Sequence, residues 1–195
     1  MTVYLFLPLL AFFVNAILAP IVVWGHARQR THQVFALFLV SMALWGGTTS
    51  LMRPSTSPED ALFWGKLAMI NFSLIAAFFL HFTYLFAETR VSKLTLASIY
   101  AVIPVVALMA FTGMLAKEMQ LTFYGYVVKP GTFFPVFVAL IYFYYLMGLK
   151  NLISVYQRPT SQAQRNRSGY LITATALAIR LKVFAALSGC NSFVP

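Results

Sequence analysis

Charge is scarce in this chain. Lysine, arginine, aspartate and glutamate make up 9% of its 195 residues, and only four of those are acids. A water-soluble domain carries about 25% charged residues, so an ordinary soluble globule is excluded. Cysteine is almost missing: Cys190 stands alone, which rules out an internal disulfide and a multi-cysteine metal site. The histidines are His26, His32 and His81, and no two of them have the H-x-x-x-H spacing that places two ligands on one helical face. There is no G-x-S-x-G elbow, no G-x-x-x-x-G-K-[ST] loop and no G-x-G-x-x-G turn after a strand. Nucleophilic hydrolysis and motif-based phosphate cradling are therefore unsupported, and no catalytic residue, cofactor or metal ligand is assigned.

What the chain has instead is long apolar runs. It is 61% hydrophobic with a mean hydropathy of +0.80. A helix needs about 20 mainly apolar residues to cross the hydrocarbon core. Five segments meet or approach that length: Val3 to Trp24, Val34 to Leu51, Ala61 to Ala87, Leu94 to Leu115 and Phe133 to Leu149. A sixth starts at Tyr170 and loses its apolar character after about ten residues, at Arg180 and Lys182. The expected fold is all-α, a polytopic transmembrane helical bundle with five full spans and an incomplete sixth. The first segment lacks a basic leader and is longer than a signal-peptide core of about 7 to 15 residues, so it reads as a span. Asn15 inside it is expected to seek a polar partner on a neighbouring helix, and Pro8 and Pro20 favour kinks.

The net charge of +10 could suggest a nucleic-acid partner, but the basic residues follow the loops. Arg28 and Arg30 follow the first span, Arg90 and Lys93 the third, and Lys150, Arg158, Arg165 and Arg167 the fifth. The alternate loops carry fewer bases, Arg53, Lys117 and Lys129, and three acids, Glu59, Asp60 and Glu118. Short basic loops stay in the cytoplasm, which puts the N-terminus outside the cell membrane. The expected partner is the lipid bilayer, with no nucleic acid, although the last basic loop could also touch anionic headgroups.

The third span carries most of the chemistry. On a helix, Lys66, Ser73, Ala77, His81, Tyr84 and Glu88 share one arc, while phenylalanines and leucines cover the rest. Ionisable groups at membrane depth are costly unless they face the bundle interior or water, so the stripe is expected to point inward. Lys66 and Glu88 lie near opposite ends, where they can snorkel. Lys66, Ser73, His81 and Tyr84 are the candidate ligand-binding or sensing residues. A neutral, hydrogen-bonded structural histidine remains the plainer alternative for His81. Tyr142, Tyr144 and Tyr145 crowd the fifth span and could line a pocket, while Trp24, Trp45, Trp64 and several loop tyrosines fit interface anchors. Arg53 to Asp60 reads as a turn-rich outer loop, Gly113 to Thr132 as a longer outer loop, and Arg158 to Arg167 as a polar inner loop.

A family resemblance lies in the order of several short pieces. Asn15 in the first span is followed by the Arg28-x-Arg30 turn, Phe35-Ala-Leu-Phe-Leu-Val and Leu44-Trp45. Phe63-Trp64-Gly-Lys66-Leu67 opens the third span, His81-Phe82-Thr-Tyr-Leu-Phe86 closes it, and Arg165-Asn-Arg167-Ser-Gly-Tyr170-Leu171 enters the sixth. Over residues 1–179 this order resembles the N-terminal seven-transmembrane region of bacterial and archaeal histidine kinases, also found ahead of some diguanylate cyclases. The resemblance implies a sensory input module in signal transduction, without a catalytic domain of its own. It also implies a small-molecule or membrane signal and a cytoplasmic kinase or cyclase output domain or protein, and it leaves a homodimer open. Residues 180–195 depart from the family's expected continuation, as a truncation or a shifted reading frame would make them. The alternative from another class is a small transporter or membrane-embedded enzyme that uses Lys66, His81 and Glu88 as a polar path.

Overall fold

The computed structural model describes residues 2–123, 125–159 and 161–190, with side chains described for 5–123, 125–159 and 161–177. It contains helices α1 (Thr2–Val23), α2 (Arg30–Met52), α3 (Pro58–Phe86) and α4 (Lys93–Phe111). A two-stranded hairpin follows, β1 (Ala116–Thr122) and β2 (Gly125–Pro130), and then α5 (Phe134–Gln157) and α6 (Gln162–Cys190). Among the described residues, α1 to α5 are long and apolar enough to cross a membrane. Inside a bilayer each backbone N–H and C=O must find its partner within the protein, and a helix does this along its whole length.

The helix starts are written locally. Ser57 caps α3 by accepting a hydrogen bond from the Asp60 N–H at 3.1 Å, Pro58 sets φ in the first turn, and Glu59 and Asp60 sit at the positive end of the dipole. Ser92 caps α4 in the same way, accepting from the Thr95 N–H at 3.0 Å. At its other end α3 stops in a left-handed residue, Glu88, with φ 51°, and the Thr89 N–H reaches back to the Tyr84 carbonyl at 3.1 Å. That six-to-one closure is the Schellman pattern.

Helix α3 is the hub of the bundle. It packs on α2, α4 and α5 and against both strands, while α1 leans on α2 and α6 on α5. Ala61, Ala76 and Ala77 of α3 are wholly buried. Their small side chains let neighbouring backbones come close, which matters where lipid tails supply no hydrophobic drive between helices. An aromatic seam fills the larger gaps: Phe35 of α2 meets Phe82 with ring centroids 4.9 Å apart, and Phe79 meets Phe38 of α2 at 6.0 Å and Tyr145 of α5 at 5.2 Å. The first span is the most lipid-exposed, with Phe6, Phe13 and Ile17 all more than half exposed. Asn15 is buried there and donates to the carbonyl of Ala11, one turn back in its own helix, at 2.7 Å.

Three local readings of the sequence change. The long outer loop holds a hairpin: β1 and β2 pair antiparallel with Glu118 opposite Lys129, joined by a 2.9 Å ion pair. Its Tyr126 N–H donates to the Arg53 carbonyl at 3.3 Å, and Val128 packs over Gly65, so the hairpin lies across the acid-rich end of α3. Gly125 is required at the turn, because its φ is +107° and a Cβ there would meet the Arg53 carbonyl. Second, α5 continues past its apolar stretch to Gln157 and carries Lys150 on the helix. Third, Arg165 and Arg167 stand on the opening turns of α6, not in an inner loop, and α6 runs for 29 residues to Cys190. Helical backbone outlasts the apolar pattern in both places because polar helices are stable at the interface, where water satisfies their side chains. The side chains of Arg180, Lys182 and Cys190, and all of residues 191–195, lie outside the described residues.

Candidate functional site

The four candidate residues separate into three places. Lys66, near the hairpin end of α3, sets its ammonium 5.8 Å from the centre of the Phe111 ring on α4, within cation–π range. Ser73 is buried and satisfied locally, donating to the Ile70 carbonyl at 2.7 Å. His81 and Tyr84 lie about 22 and about 27 Å from Lys66 along the helix axis, at 1.5 Å per residue, and they do come together. Both line one cleft of about 410 Å³ at the other end of the bundle. Of the stripe only Ser73 and Ala77 are buried, with Lys66, His81 and Tyr84 partly so and Glu88 exposed, and Phe79, Leu80 and Phe82 on other faces of α3 are buried as well.

The cleft lies between the start of α2, the end of α3 and the start of α4. Its polar lining is Arg30, Gln33, His81, Tyr84 and Thr89, and its apolar lining is Val34, Leu85, Val91 and Leu96. The local sequence explains the shape. The Schellman stop at Glu88 turns the chain sharply, which brings Thr89 and Val91 back over the last turn of α3. Gln33 donates to the Ala27 carbonyl at 2.6 Å and so ties the opening of α2 to the preceding turn.

One partner was not legible in the sequence. The Tyr100 hydroxyl on α4 lies 2.6 Å from His81 Nδ1, and the two rings meet edge to face. The tyrosine donates when Nδ1 is the unprotonated nitrogen. Two further side-chain hydrogen bonds tie helices together in the same half of the bundle. Asn151 of α5 donates to Thr83 Oγ1 at 3.2 Å, and Tyr144 of α5 donates to the Ile99 carbonyl of α4 at 3.2 Å. Together they link α3 to α4, α3 to α5 and α4 to α5. Tyr144 and Tyr145 thus serve helix packing and do not line the cleft. The α1–α2 turn also stacks His26 on His32, with centroids 4.6 Å apart, a contact that their sequence spacing does not suggest.

Comparison with known proteins supplies the context. A profile of the N-terminal 7TM region of histidine kinase matches residues 7–193, nearly the whole chain. The chain belongs to this family. No curated protein gives a significant match. The family match continues past Ile179, where the resemblance legible from short motifs ends, and into the tail. The protein is therefore a multi-pass membrane domain of the 7TM sensor-region family, a family of input modules. Its cleft occupies the end of the bundle that carries the basic turns.

Proposed function

We propose that this 7TM region is a sensory input module that detects a signal in the His81 and Tyr84 cleft and passes it to a cytoplasmic kinase or cyclase output domain or protein. The observation that carries the proposal is the convergence of an amphipathic cleft with helix-to-helix hydrogen bonds at one end of a bundle of this family. His81 belongs to both the cleft and the link to α4. Thr83, two residues on, bonds Asn151 of α5, and α5 carries α6. A ligand that displaces the end of α3 would thus be felt at the helix leading to the output. In this reading the chain itself does no chemistry, and Lys66 on the Phe111 ring and Ser73 bonded within α3 lie outside the sensing site.

The basic turns support an orientation with the cleft and the start of α6 at the cytoplasmic face and the N-terminus and the hairpin outside. Cysteines introduced at Ser57 and Thr122 should react with an impermeant thiol reagent in intact cells, and one at Ser161 should not. The reverse pattern would overturn the orientation. For the function, the chain is to replace the input region of a histidine kinase with a measurable output. His81→Gln and Tyr84→Phe should then shift basal output severalfold while Ser73→Ala leaves it unchanged, and an output indifferent to the cleft variants would sink the reading. The coding sequence immediately downstream offers a second check, since a kinase or cyclase domain there, in frame or frameshifted, supports the assignment. Packing weighs against the transporter alternative. Between Lys66 and His81 the stripe passes through Ser73 and Ala77, both closed off by neighbouring helices, and Glu88 stands exposed beyond the end of α3.

A further inference from the structure

The lining of the cleft has a one-sided chemistry. Arg30 brings a guanidinium with five donors, and Gln33 and the Tyr84 hydroxyl add more. None of the four acids lines it, and the ion pair found among the described residues, Lys129 with Glu118, lies at the far end of the bundle. Arg30 has no carboxylate within ion-pair distance among the described residues. The Tyr84 hydroxyl and His81 Nε2 have no hydrogen-bond partner among them either, since the one bond of His81 runs through Nδ1. Directly beside these donors lie Val34, Leu85 and Leu96, and Leu94 stands exposed on the first turn of α4. An unpaired cation and spare donors at one end of an apolar trough match a ligand with a negative head and an apolar chain.

We propose that the cleft binds an anionic amphiphile, its phosphate or carboxylate on Arg30 and Tyr84 and its chain along Leu85 and Leu96. The proposal rests on the sensing role given to the cleft above and names its ligand class. Such a molecule could come from the bilayer, as a phospholipid, or from solution, as a free alkyl phosphate or fatty acid. Both present the same head to the same residues. At 410 Å³ the cleft holds the head and the first part of a chain, not a whole lipid, so the rest of the chain extends into the membrane.

The test uses the full chain in phosphatidylcholine nanodiscs, with binding read as the rise in thermal midpoint on titration. Four probes are added separately: dioctanoyl phosphatidylglycerol, octyl phosphate, octanol and inorganic phosphate. One or both anionic amphiphiles should bind at least about tenfold more tightly than octanol and than inorganic phosphate, the loss expected for a missing charge-assisted contact or a missing chain. Saturation by phosphatidylglycerol alone identifies the bilayer as the source, and saturation by octyl phosphate alone a free amphiphile. Arg30→Gln should weaken the anionic probes about tenfold, Arg30→Lys should restore most of the affinity, and Arg28→Gln, a base outside the cleft, should change it less than about twofold. Equal loss from Arg28→Gln and Arg30→Gln would reduce the effect to surface charge and overturn the proposal. Octanol binding as well as octyl phosphate would also overturn it while leaving the cleft as a sensing site for a neutral ligand. The wider reading fails separately, when the chimeric kinase ignores His81→Gln and Tyr84→Phe.

Discussion

At Gly46 the second helix lies close against the backbone of the first. A methyl group added there would stand 2.7 Å from the Pro8 carbonyl oxygen and 3.1 Å from the Phe12 nitrogen, both backbone atoms of α1. Backbone cannot rotate out of the way, so Gly46→Ala must push α1 off α2 by several tenths of an ångström. Overpacking of this kind costs about 1–3 kcal/mol, set against about 1 kcal/mol gained from the better helix propensity of alanine. The neighbouring glycine is a built-in control. A methyl at Gly47 meets the Phe12 ring at 3.2 Å, and that ring can turn aside. Gly47→Ala should therefore be close to neutral or slightly stabilising, Gly46→Ala should lose up to about 2 kcal/mol, and Gly46→Val more. For a chain of this size each kcal/mol moves the midpoint by about 2–4 °C, so thermal melts in detergent resolve the series. Equal midpoints for the two alanine variants, or the opposite order, would refute the claim that α1 is seated by backbone contact at Gly46.

Other substitutions probe the stop of α3, its link to α5 and the hairpin. Glu88→Gly removes the cost of holding a side chain at φ 51° and should raise stability by about 1 kcal/mol in the same melts; a loss would mean that the glutamate side chain holds the turn. Thr83→Val strips the Asn151 amide of its acceptor inside the bundle and should cost about 1–3 kcal/mol, whereas a neutral result would show that Asn151 finds another partner. The hydrogen bond from Lys129, with its charge close by, holds the Glu118 carboxyl below its ordinary pKa. The hairpin contact is thus complete above the ordinary carboxylate range and fades as pH falls through the depressed folded value. Lys129→Met should return Glu118 to the ordinary range in a carboxyl NMR titration, and an unmoved titration would assign the shift to something else.

Much of the fold could be read from hydropathy, because a bilayer leaves a twenty-residue apolar run few alternatives to a helix. The hub position of α3 was half visible in its polar arc and its alanines. The hairpin was hidden. Lys117 to Thr122 and Tyr126 to Lys129 are too short and too mixed in polarity to stand out beside long apolar helices, and only tertiary support from Arg53 and Gly65 holds them. In the site, helical spacing put His81 and Tyr84 on one face of one helix, and both line the same cleft. It could not reach Arg30, Gln33 or Tyr100, which come from other helices and meet His81 only through packing. Lys66 and Ser73 share the arc but not the depth, and an angular projection discards depth along the axis.

The hub arrangement also predicts an uneven tolerance to sequence drift. A side chain on the outer face of α1 answers mainly to lipid, so almost any apolar residue serves at Phe6 or Ile17. Ala61, Ala76 and Ala77 answer to α3's neighbours at the same time, and no rotamer change can make room for a larger group where nothing of the side chain remains exposed. In a collection of variants selected for a working sensor, substitutions should therefore gather on α1 and thin out along α3. On the proposed reading of the cleft, its rim at His81, Tyr84 and Leu85 is buried only in part, so a change of signal preference there would not require rebuilding the bundle.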